Sequence, residues 1–89
     1  MHRTIWKFPI DIVDQQTIKV PAGSHIIHAG LDADDQPCVW AEVYPSAERI
    51  SHTIFVRGTG QSLSFSGHNA RHYGSFVQDR FVWHVYGSL

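Results

Sequence analysis

"RFVWHVYG", residues 80–87, decides the fold. An extended chain points successive side chains to opposite faces. That alternation would set Phe81, Trp83 and Val85 on one face and Val82, His84 and Tyr86 on the other. Both faces are largely apolar, so the segment reads as a central strand or as a strand with one face turned to a partner. "PCVWAEVY", residues 37–44, has the same character, with Cys38, Trp40, Glu42 and Tyr44 opposite Val39, Ala41 and Val43.

The rest of the chain follows this pattern. "TIWKFPI" (4–10) places Trp6 and Phe8 against Ile5 and Lys7, and Pro9, lacking an N–H, ends the strand or marks an edge. "QTIKVP" (16–21) alternates Ile18 and Val20 with Thr17 and Lys19; "AG" turns the chain into "SHIIHAGL" (24–31). "DADDQ" (32–36) reads as a hairpin turn, because Asp accepts turn conformations and caps local N–H groups. A calcium loop beginning at Asp32 would need Gly and Glu where Pro37 and Val43 stand. "SAERI" connects to a strand at 51–58, and "YGSFVQ" (73–78) pairs with 80–87 through a turn at Gln78, Asp79 and Arg80. No window carries a sustained helical period with caps at both ends. Residues 1–89 are therefore expected to form a single all-β domain, a compact antiparallel sandwich or small barrel of about six to seven short strands.

Composition narrows the function. With 43% hydrophobic and 17% charged residues the chain is globular. A net charge of −1 provides no basic stripe and argues against general duplex DNA binding, although seven histidines add positive charge below about pH 6.5. The single cysteine, Cys38, sits in an apolar run and reads as a small buried hydrophobe. No disulfide framework, no leader-like apolar start and no run of about 18 apolar residues are seen, so a cytoplasmic protein without a membrane span is expected.

"FVRGTGQSLSFSGHNARHYG", residues 55–74, is the stretch richest in chemistry. Its glycines suit a strand exit at positive φ. A phosphate loop would need a lysine and a following helix, and a dinucleotide fingerprint would need glycine where Leu63 stands. An anion loop built from Arg57, Gly58, Thr59, Gly60, His68, Arg71 and His72 is the expected ligand site, since Arg can clamp phosphate or carboxylate with two donors. Zinc would need His68 and His72 to converge with His52 or His84. Strand geometry puts His25 and His28 on opposite faces. No GxSxG or HExxH motif occurs, and Glu42 and Glu48 are the only glutamates, so catalysis, cofactor and resident metal are not expected. Trp40, Tyr44, Trp83 and Tyr86 are the expected protein interface, and the surplus apolar surface predicts a homo-oligomer.

"TIWKFPI", "QTIKVPAG", "PCVWAEV", "GTG", "YGSF" and "FVWHVY" occur in that order along nearly the whole chain. In this the sequence resembles a family of small proteins from phages and prophage-bearing bacteria, for which no catalytic residues are assigned; the histidine-rich segment 68–72 departs from its pattern. The resemblance implies a cytoplasmic accessory protein that acts by occupying something. The first expectation is a non-enzymatic antagonist that binds a host protein or complex of antiviral defence. The alternatives are an oligomeric sponge for a small anionic signalling nucleotide, a metal-dependent hydrolase using His52, His68, His72 or His84, and a minor virion component.

Overall fold

A computed structural model describes residues 2–65 and 67–88. It contains seven strands and, among the described residues, no helix: β1 (Thr4–Pro9), β2 (Gln15–Pro21), β3 (His25–Leu31), β4 (Pro37–Val43), β5 (Arg49–Gly58), β6 (Arg71–Gln78) and β7 (Phe81–Ser88). They form two antiparallel sheets, ordered β1-β4-β3 and β2-β5-β7-β6. The sheets stack as a sandwich, not a closed barrel. The thinnest extent of the backbone is 15 Å. Packed sheets lie about 10 Å apart, so one apolar layer fits between them.

The strands that read as apolar on both faces are the covered ones. β4 lies between β1 and β3, and β7 between β5 and β6. Val39, Ala41 and Val43 on the inner face of β4 join Ile26, Ala29, Ile54, Val56, Phe76 and Val85 in the core, flanked by half-buried Trp6, Phe8 and Trp83. Burying each larger aliphatic or aromatic side chain contributes about 1.5–3 kcal/mol. Pro9 closes β1 at the edge of its sheet, paired with Cys38, where a missing N–H costs no ladder bond. Cys38 is buried, and desolvation pushes its thiol pKa up.

Turn chemistry sets one end of the sandwich. Asp32 Oδ1 accepts from the Asp34 and Gln36 N–H groups, and Asp35 takes φ 59°. Asp32 is held down to about 2, first by its hydrogen bond from Lys7 and then by these backbone donors. In the β6–β7 turn Asp79 and Arg80 have φ 53° and 72°, the left-handed pair that a two-residue hairpin requires. Gln78 Nε2 donates to the Asp35 carbonyl at 2.6 Å, tying the two hairpin tips together.

Along one flank β6 lies against β3. A Cβ at Gly74 would stand 2.5 Å from the Ala29 carbonyl oxygen, so only glycine permits this approach. Each of these strands also contains a bulge, between Ile26 and His28 in β3 and between His72 and Gly74 in β6. One extra residue reverses the alternation beyond it.

Candidate functional site

The bulges rearrange the residues that strict alternation would separate. In β3, His25 pairs with Glu42 and His28 with Trp40, so both histidines share the outer face of the smaller sheet. This corrects the expectation of opposite faces. His28 stacks on Trp40 at 5.4 Å between ring centroids. In β6 the cross-strand pairs are His72 with Tyr86, Ser75 with His84, and Val77 with Val82. All three pairs face outward and form a strip two strands wide. His72 therefore belongs to a strand, not to the preceding loop.

A chain of polar contacts runs along the strip. Thr59 Oγ1 lies 2.8 Å from His84 Nε2, His84 Nδ1 lies 2.7 Å from Ser75 Oγ, and Ser75 Oγ lies 3.1 Å from His72 Nε2. Hydroxyls both donate and accept, so one proton arrangement satisfies all three contacts with neutral imidazoles. Towards the tip the strip turns apolar: Val77 is 62% and Val82 39% exposed, while Phe81, on the opposite face of the same tip, is 62% exposed.

After β5, residues 59–65 and 67–70 fold back over the outer face of the larger sheet. Phe65 packs between Phe55 and Tyr86, each 5.0 Å away, and His68 meets the edge of Phe55 at 5.3 Å. Arg57, 6% exposed, donates to the carbonyls of Ser62, Ser64 and Asp14 and pairs with the Asp14 carboxylate. Its fork is committed to the chain's own oxygens. The expected anion loop thus converges only in part: Arg57, Gly58, Thr59 and Gly60 line one shallow hollow, but His68, Arg71 and His72 lie outside it. Arg57 is buried, Gly58 lies against Trp83, Thr59 and His72 join the strip, and His68 caps Phe55. Gly60 is the glycine of this exit with positive φ, 96°; Gly58 is not.

The four aromatics expected to form one interface lie apart and are half-buried. Trp40 is on the smaller sheet, Tyr44 lies against Gly23, Trp83 faces the core beside Phe81, and Tyr86 lies under Phe65 and His72. Exposed apolar side chains gather instead at the β6–β7 tip, in Val77, Phe81 and Val82, while Ile5, Val13, Ile27 and Leu63 are exposed elsewhere. The doubly apolar hairpin was the signal for the tip; which side chains remain uncovered depended on where the chain after β5 fell.

Arg71 goes to the end of the sandwich opposite the hairpin tips. There a cleft of about 260 Å³ opens between the starts of β3, β5 and β6 and the end of β7. His52 and Tyr73 form its inner part, with His52 Nε2 2.8 Å from the Tyr73 hydroxyl. The Tyr73 ring lies over Gly87, where any Cβ would overlap it. Burial lowers the pKa of His52 and raises that of Tyr73, keeping both neutral, while the Arg71 charge pulls Tyr73 the other way. His52 Nδ1 has no hydrogen-bond partner among the described residues. A buried orphan N–H is costlier than a bare acceptor. The favoured tautomer therefore carries its proton on Nε2, donates it to Tyr73, and leaves the Tyr73 O–H to donate elsewhere. His52 faces the interior, whereas His68, His72 and His84 lie outside. No three His, Cys, Asp or Glu side chains among the described residues are placed to hold a metal.

The result is a seven-stranded antiparallel sandwich with a mixed polar and apolar strip outside and a cationic cleft at one end. The chain belongs to the family described as Domain of unknown function (DUF7352), whose model matches residues 1–89. No curated protein and no solved structure matches it. No helix of the described residues is long and apolar enough to cross a membrane.

Proposed function

We propose that this chain is a non-enzymatic binding protein that docks a protein partner on the β6–β7 strip and its tip. The observation that carries this reading is the directly paired, outward-facing Val77 and Val82, with Phe81 exposed on the other face of the same hairpin tip. Apolar side chains clustered on a strand pair and bordered by polar groups mark interaction surfaces. The His72, Ser75 and His84 ladder supplies that border. The strip itself covers roughly 200 Å² from strand dimensions, well below the ~800 Å² per partner of a stable interface. The remaining contact must come from a partner that reaches past the strip onto the neighbouring surface. A patch this small cannot by itself hold together the homo-oligomer expected from the surplus apolar surface, which favours a different protein that brings further contacts.

The resemblance to phage and prophage proteins gives this reading its setting: an accessory protein in the host cytoplasm that occupies a protein of antiviral defence. The test uses tagged protein and its Val82→Asp and Phe81→Ser variants in bacterial host lysate, followed by reconstitution of any captured complex from purified components. A partner that binds the parent chain but neither variant, and whose defence against phage is relieved by expressing the parent chain alone, supports the reading. Equal binding by parent and variants, or a dimer of this chain broken by Val82→Asp, overturns it.

A further inference from the structure

The end cleft has a different chemistry. Its polar lining offers several donors, the Arg71 guanidinium, the Tyr73 hydroxyl freed by His52, the Asn69 amide and the His25 ring, beside the Ser88 hydroxyl. No carboxylate lines it among the described residues. The Ser24 hydroxyl beside it is already donated to the Pro21 carbonyl at 2.6 Å. Arg3, Lys7 and Arg57 each have an ion pair, but Arg71 has none with any described residue. Arg71 pairs with Gly87 on the sheet ladder, two residues before Tyr73. The Tyr73 ring is fixed by the glycine beneath it and by His52, which is 2% exposed. Two residues apart on β6, Arg71 and Tyr73 share one face by plain alternation, which brings phenol and guanidinium to the same opening.

We propose that this cleft binds a small organic oxyanion, held by the Arg71 fork and by the Tyr73 hydroxyl that His52 orients. A guanidinium and a fixed hydroxyl match the oxygens of a carboxylate or a phosphate monoester. The volume, slightly under that of drug-sized pockets, suits a ligand of metabolite size. Arg71 and Tyr73 touch the anion; His52 is a positioning residue that fixes which way the phenol donates. The site lies at the opposite end from the hairpin tips, so it stands or falls independently of the protein-docking strip.

The test is titration of the full chain with inorganic phosphate, acetate and adenosine 5′-monophosphate, each followed by amide and side-chain NMR shifts. The expected result is saturable shifts at Arg71, Tyr73 and Gly87, with those of Val77 and Val82 unmoved. Arg71→Gln, at an exposed strand start, should weaken binding at least tenfold while keeping the fold's spectrum. Tyr73→Phe keeps the ring over Gly87 and should weaken it several-fold. Response to phosphate and the nucleotide alone assigns a phosphate monoester; response to acetate alone assigns a carboxylate. Shifts that fail to saturate with all three probes, that lie elsewhere, or that survive Arg71→Gln unchanged overturn the proposal.

Discussion

Arg57 grips Asp14 twice: its Nη1 lies 2.6 Å from the Asp14 carbonyl and 2.9 Å from the carboxylate. The same guanidinium sits 5.5 Å and 5.3 Å from the Phe55 and Phe65 ring centroids. One side chain thus ties the β1–β2 connection, β5 and the covering residues 59–65 together. Arg57→Ala leaves several carbonyls without their donor and is expected to cost about 2–4 kcal/mol. Arg57→Lys should recover only part, because an ammonium lacks the fork. Urea unfolding measures the loss, and limited proteolysis should cut near 62–65 faster in both variants. Unchanged unfolding and unchanged cleavage would show that the segment is held by something else.

His52 makes stability depend on pH. Burial lowers its folded pKa below the ordinary 6.5, so the unfolded chain takes up the proton first as pH falls. The contribution is complete above pH 6.5 and declines below it. Unfolding midpoints at pH 7.5 and 5.5 should therefore differ more for the parent chain than for His52→Phe. Equal differences in the two proteins would reject this assignment. Nitrogen NMR of His52 at pH 7.5 should also find the proton on Nε2.

Arg80 holds φ 72° in a turn where glycine has no Cβ to strain. Arg80→Gly should stabilise the hairpin by about 0.5–1 kcal/mol, because left-handed geometry costs an ordinary residue roughly 1–2 kcal/mol, partly offset by glycine's greater freedom when unfolded. Thermal unfolding decides: a lower midpoint means that Arg80 makes a compensating contact.

Gly87 carries the Tyr73 ring. Gly87→Ala forces that ring to move and should cost about 1–3 kcal/mol, the range for overpacking a filled site. It should also break the contact between Tyr73 and His52. The readouts are the unfolding midpoint and the Tyr73 ring resonances. A parent-like spectrum would mean that the backbone yields instead.

Most of the framework was legible in the sequence. Period-2 alternation located all seven strands, although β5 begins at Arg49 and β6 at Arg71, each two residues earlier than the pattern indicated. Asp32 and Asp79 gave the turns their chemistry. The placement of functional side chains was less accessible. Pairing of His72 with Ser75 and of His25 with His28 on one face depends on bulges, which alternation alone cannot reveal. Arg57 reads as a free cation in "FVRGTG", yet its acceptors are backbone carbonyls that the sequence does not display. His52 and Tyr73 lie 21 residues apart and meet only through sheet pairing.

The bulge in β3 makes this strand unusually tolerant in one respect: it contains a spare residue. Removing Ile27 would restore plain alternation while leaving His25 and His28 outside and Ile26 and Ala29 inside, as they are now. Removing a residue from the middle of the unbulged β4 would instead turn the interior outward. A chain of 88 residues lacking Ile27 should therefore fold with little loss of thermal midpoint, whereas one lacking Val39 should not fold. Collapse of both deletions would show that the bulge is itself required. Natural relatives could then differ in length at this one point of the strand while keeping the same inside and outside, so an alignment gap there would mark a permitted change of length, not a change of architecture.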